Sequence, residues 1–243
     1  MLSSFVTINQ TLVDQLATVS LITANERLAR EYQRGLALYQ QANGPAAWPT
    51  PDILSLGHFL NREYTRLREQ HPGDLRPLAS TDDLVRLATS TRPDAPAHVF
   101  TNFLKALKTV IDYDIDPRQI ERQHHASEYF ADWVYQVQAD LARHFQHPAS
   151  IAGVLLSYNA LPERPMAVAL LEQLTLPESR YFENLLSIHE IRRIANDSIT
   201  IPVTNLQQLF DEPGDQGLNK AKLYSAETVA TEIQAAASWA ADI

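Results

Sequence analysis

The sequence predicts an α/β fold: a parallel sheet with flanking helices, interrupted by a large all-helical block. Three observations carry that expectation. Residues 19–24 form a short apolar run that turns directly into a long amphipathic helix, which is the first half of a βαβ unit. Residues 166–171, Met-Ala-Val-Ala-Leu-Leu, are an apolar run of strand length between Pro165 and Pro177, the pattern of a strand buried on both faces. Between residues 77 and 160 the apolar positions recur only at helical spacing.

The elements follow in order. Residues 3–17 carry Phe5, Ile8, Leu12 and Leu16 at helical spacing, with Ser3 and Ser4 as candidate caps. The first strand spans 19–24. Asn25 is placed to cap the next helix, whose inner face carries Leu28, Tyr32, Leu36 and Tyr39 and which stops at Asn43-Gly44. Residues 46–51 read as a loop and 52–56 as a second strand. Phe59, Leu60, Tyr64 and Leu67 then line a helix that ends before Pro72-Gly73.

In the helical block, Ser80 or Thr81 starts a helix with Leu84, Leu87 and Ala88 inward. Residues 98–112 place Phe100, Phe103, Leu104, Leu107, Val110 and Ile111 on one wide face. Asp116-Pro117 is a cap with proline at the first helical position. Residues 127–144 keep the cleanest 3.6 period, through Phe130, Trp133, Val134, Val137 and Leu141. Residues 148–159 make one more helix. After the strand at 166–171, Pro177 opens a helix that reaches Ile188. Residues 197–203 are β-branched, and Pro202 confines that strand to an edge or to its own end. A last strand is expected at 221–224 and a helix at 228–243. That helix meets no glycine, proline, lysine or arginine, so the natural chain is expected to continue past residue 243. The expected parts are 1–76 and 161–243 for the α/β domain, and 77–160 for the helical insertion.

Composition bounds the chemistry. The 243 residues include no cysteine, which excludes disulfides and thiolate catalysis. Seven glycines leave no glycine-rich loop. A formal charge of −9 argues against a free-standing module that grips DNA by phosphate neutralisation, and leaves room for one local basic groove. No apolar run approaches the roughly 20 residues of a membrane helix. Met1-Leu-Ser-Ser-Phe-Val lacks the basic segment and apolar core of a signal peptide, so the expected location is the cytoplasm.

Three segments carry a family resemblance: Leu21-Ile-Thr-Ala-Asn-Glu-Arg-Leu-Ala-Arg30, Trp48-Pro-Thr-Pro-Asp-Ile-Leu54, and Tyr224-Ser-Ala-Glu-Thr-Val-Ala-Thr-Glu-Ile-Gln-Ala-Ala-Ala-Ser-Trp-Ala240. In these the chain resembles the N-terminal part of bacterial helicase–nuclease DNA repair proteins of the AddB and RecB type, whose full chains end in a PD-(D/E)XK nuclease domain. The resemblance implies a RecA/P-loop-like helicase sheet and places residues 19–30 at helicase motif I. An active motif I wraps phosphates with glycines and reaches them with lysine. Here Thr23, Ala24, Asn25, Glu26 and Arg27 stand instead. Residues 168–178 resemble motif II, with Leu171 at the place of the Mg²⁺-ordering aspartate and Glu172 at that of the catalytic glutamate. Both departures predict a degenerate nucleotide site, formed by Thr23, Asn25, Glu26, Arg27 and Glu172, with no catalytic residue and no cofactor. The implied function is a non-catalytic superfamily 1 helicase-like module that contacts single-stranded DNA or a partner helicase–nuclease subunit. The implied nuclease would lie downstream.

Arg62, Arg66, Arg68 and Arg76 are the densest basic region. By the same resemblance His58, Asn61, Arg62 and Arg66 are candidate DNA contacts, with Phe59 and Tyr64 as bases' stacking partners. Interleaved acidic residues favour the other reading, a solvated face over core aromatics. His124, His125, His144 and His147 form no expected metal site, because cysteine is absent and His147 precedes Pro148. Asp112, Asp114 and Asp116 lack the glycine and the closing glutamate of a Ca²⁺ loop. The alternative function is an α/β protein–protein interaction domain with no DNA role and no membrane contact.

Overall fold

The computed structural model describes residues 8–44, 48–120, 125–169, 171, 173–194, 200–204 and 206. The elements expected at 221–224 and 228–243, and the caps Ser3 and Ser4, lie outside the described residues.

The first helix, α1, is Gln10–Leu16, shorter than its periodicity suggested. Asn9 is extended, and its side chain accepts from the Leu12 amide at 2.9 Å, so the helix begins at Gln10. Strand β1 (Ser20–Thr23) is buried along its whole length. Helix α2 (Glu26–Asn43) follows and ends at Gly44. Gly44 is needed there for close approach: a Cβ would lie 2.7 Å from the Gln40 carbonyl oxygen. Strand β2 (Ile53–Ser55) runs straight into α3 (Leu56–Gln70), which Ser55 caps.

Four helices come next. They are α4 (Thr81–Thr91), α5 (Ala97–Asp112), α6 (His125–His144) and α7 (Ile151–Ser157), with single 3-10 turns at Pro117–Gln119 and Pro148–Ser150. Ser80 and Asp83 close a reciprocal capping box on α4. Strand β3 (Met166–Ala169) is fully buried, as its uninterrupted apolar run requires. Helix α8 (Leu176–Ile188) starts on a capping box of Thr175 and Glu178. Strand β4 (Ile191–Ile194) has no counterpart among the predicted elements. Strand β5 (Thr200–Pro202) falls within the predicted 197–203 run.

The sheet order is β2-β1-β3-β4-β5, parallel except for the antiparallel β4–β5 pair. Pro202 therefore sits on an edge strand, where its missing N–H costs least. From β1 the chain moves one way to β2, and from β3 the other way to β4. Right-handed crossovers then put helices on opposite faces. One face packs Leu21, Ala167 and Ala169 against Leu12, Leu16, Tyr32 and Leu36 of α1 and α2. The other packs Ile22, Met166 and Val168 against Phe59, Tyr64, Leu155, Tyr181 and Phe182 of α3, α7 and α8.

Helices α4, α5 and α6 have a separate core. Phe103 stacks on Trp133 with centroids 3.8 Å apart, and the Trp133 indole N–H donates to the Ala88 carbonyl at 3.2 Å. The segments that lead out to these helices and back lie side by side. Gln146 N–H donates to Pro77 O at 2.8 Å, and Ala79 N–H donates to Gln146 O at 2.9 Å.

Candidate functional site

The strand order reverses between β1 and β3, and in open parallel sheets ligands bind outside the C-terminal strand ends at such a point. This is where the sequence placed its nucleotide site. Two residues, Ala24 and Asn25, separate β1 from α2. The buried Thr23 hydroxyl donates to the Asn25 carbonyl at 3.0 Å and also faces Leu54 O at 3.3 Å. Asn25 Oδ1 accepts from Leu28 N–H at 3.0 Å, which occupies one of the free amides of the helix start. Asn25, Glu26 and Arg27 are exposed. Glu26 is held by Arg30 one turn on, at 2.5 Å. The turn is thus closed on itself by its own side chains. Across the switch point Leu171 is 3% exposed and belongs to the sheet's core. Glu172 lies outside the described residues.

The candidate DNA-contact residues occupy α3. His58 and Asn61 are exposed. Phe59 and Tyr64 are core side chains, and the Tyr64 hydroxyl donates to Arg76 O at 2.6 Å, so neither ring faces solvent for stacking. Arg62 and Arg66 point to the other end of the sheet, the N-terminal ends of the strands. There they join an ion network that the sequence did not reveal.

Asp52, immediately before β2, is the first node. It accepts from the Ser20 hydroxyl and from Arg62 Nη1, which lies 2.7 Å from both carboxylate oxygens. Glu63 is the second node, 3% exposed, with Arg62 Nε 3.1 Å from one oxygen and Arg66 Nη2 2.7 Å from the other. Arg66 also donates to the Leu161 carbonyl and meets Glu163 at 3.2 Å. Burial pushes the Asp52 carboxyl up, but hydrogen bonds from Arg62 and Ser20 outweigh it and hold Asp52 below the usual carboxylate range. At Glu63 burial prevails over the Arg66 and Arg62 charges, and the carboxyl stays raised. The network lines an open hollow of about 530 Å³, together with Thr50, Pro51 and Arg164.

Other predicted positions separate. His144 is exposed at the end of α6, whereas His147 is buried. Among the described residues no cluster of three metal-ligating side chains exists. Asp112 pairs with Lys108, Asp114 with Arg180 at 3.1 Å, and Asp116 caps the Arg118 amide at 3.0 Å. Sequence reasoning also missed an apolar groove of about 560 Å³ between α5 and α6, lined by Val99, Phe103, Ala106, Tyr129, Phe130 and Trp133. Only the 3.6-residue period of those aromatics hinted at it. It missed Arg193 of β4 as well. This side chain is 8% exposed, and its Nη1 has no hydrogen-bond partner. Among the described residues no helix is long and apolar enough to cross a membrane. No family model matches the chain, and no curated protein matches it.

Proposed function

We propose that the chain is a non-catalytic, superfamily 1 helicase-like module of a DNA repair or recombination helicase–nuclease, a RecA-type α/β domain with a helical insertion. In this role it contacts DNA or a partner subunit and hydrolyses no ATP. The observation that carries the reading is the β1–α2 junction. A phosphate-binding loop places about six residues between strand and helical lysine, with glycines that let backbone amides face the phosphates. This junction has two residues, no glycine, and a cap already seated on the helix N-terminus. Leu171 adds to it, because a buried leucine offers no ligand to a metal. Calorimetry with ATP·Mg²⁺ is expected to give no heat, and the chain no ATP turnover. Turnover that disappears in Glu172→Gln would overturn the proposal.

The second reading, a protein–protein interaction domain without a DNA role, is favoured by the state of the arginines. Arg62 and Arg66 are already neutralised by Asp52, Glu63 and Glu163. A gel shift with single-stranded DNA separates the two. Binding that weakens steeply with salt and falls in His58→Ala or Asn61→Ala supports the first. Both side chains are exposed and outside the ion network, so these variants leave the fold intact.

A further inference from the structure

We infer that the hollow at the N-terminal end of the sheet is an anion site for a phosphate group, with Arg66 and Arg164 as its ligands and Glu163 as an internal place-holder. The charges in the hollow are not equally fixed. Asp52 and Glu63 are each held by more than one partner: Asp52 ties Ser20 of β1 to Arg62 of α3, and buried Glu63 sits between Arg62 and Arg66 on α3 itself. Glu163 differs from both. Its side chain is 76% exposed, it holds Arg66 by one contact at 3.2 Å, and it belongs to the loop before β3. Arg66 Nε is buried without an acceptor, and exposed Arg164 makes no salt bridge among the described residues, its charge acting on Asp52 only from a distance.

Three arginines thus face two fixed carboxylates and one exposed, singly held one. When Glu163 swings into solvent, the hollow carries one uncompensated positive charge, and Arg66 Nη1 is released to an incoming anion beside Arg164, while Nη2 stays with Glu63 and the Leu161 carbonyl. Phosphate, with several acceptor oxygens and its negative charge, matches one donor from Arg66 and the guanidinium of Arg164. The fixed pairs supply the rigidity, because Arg62 and Glu63 hold the position of Arg66 on α3. The site stands whether or not the chain contacts DNA. A nucleic acid backbone and a free phosphate offer the same chemistry to it.

The test is titration of the chain with inorganic phosphate at low ionic strength, and separately with a single-stranded oligonucleotide. Glu163→Gln and Arg164→Ala alter exposed side chains and spare the fixed network. Removing the competing carboxylate in Glu163→Gln is expected to tighten phosphate binding about threefold, and Arg164→Ala to weaken it by a similar factor. The same two shifts with the oligonucleotide identify a nucleic acid backbone as the source. Shifts with phosphate alone identify a small anion; the site then stands, and the DNA reading fails only if the oligonucleotide does not bind at all. Oligonucleotide binding that neither substitution moves, with no phosphate binding, overturns the site and leaves the DNA reading in place. Phosphate affinity unchanged in Glu163→Gln also overturns it.

Discussion

His147 is buried at the start of the Pro148–Ser150 turn, which it caps. Its Nδ1 accepts the Ala149 amide at 3.0 Å, which fixes the neutral ring. Burial is the main reason its pKa falls from 6.5 to about 4; Lys108 adds to the fall and Asp112 opposes it. The unfolded chain takes up this proton near pH 6.5 and the folded chain only near pH 4. The ring's contribution to stability is therefore complete above pH 6.5 and is lost as the pH falls toward 4. By pH 5 the loss amounts to about 2 kcal/mol. His147→Asn keeps an acceptor for the amide and cannot titrate. Urea unfolding at pH 7 and pH 5 is expected to show a larger drop in the wild type than in this variant. Equal drops would show that His147 does not titrate on unfolding. The residue was visible in the sequence only as one member of a histidine pair. The arginines were opaque for a related reason: Asp52 and Glu163 reach Arg62 and Arg66 only through the fold, while the sequence displays a basic run.

At the scale of elements, legibility followed chemistry that is local. Capped helix starts at Asn25, Ser80 and Asp116 were readable, because cap and amide are neighbours in the chain. The β3 run was readable because burial on both faces demands continuous apolar residues. Strand β4 was not. Ile191-Arg-Arg-Ile194 carries two arginines in four positions, and only the sheet order makes it a partner of β3. The β1–α2 junction shows both sides. Its strand, turn and helix were legible, and so was the absence of glycine. Its closure by the Thr23 hydroxyl exists only in the folded turn. Asn25→Ala is expected to cost about 1 kcal/mol, and Asn25→Asp little, since a carboxylate also caps and favours the helix start. Guanidinium titrations of both variants check this. A cost in Asn25→Ala no larger than in Asn25→Asp would mean that the cap contributes nothing.

At the scale of the whole molecule, α4–α6 are built on the α/β part without sharing its cores, whereas α7, which the sequence placed in the same helical block of 77–160, packs Ile151, Ala152 and Leu155 into the core of the sheet. Neither of the two clusters that flank the sheet draws a member from residues 80–145. The third cluster lies wholly on α4, α5 and α6 and the segments beside them. The chain leaves and returns through segments bonded to each other, at Pro77 and Ala79 on one side and Gln146 on the other. A short glycine–serine bridge from Ala79 to Gln146 therefore spans two neighbouring backbones and closes a small loop, at little entropic cost. Such a variant, without residues 80–145, is expected to keep the parallel sheet and a single cooperative denaturant transition. Its m-value should fall with the surface lost, and Trp133 fluorescence should be absent. Circular dichroism with retained strand signal and a sharp transition would establish the block as an insertion into a self-sufficient domain. A broad transition with dye-binding apolar surface would show instead that α4–α6 complete the sheet's core, and that the two parts fold as one.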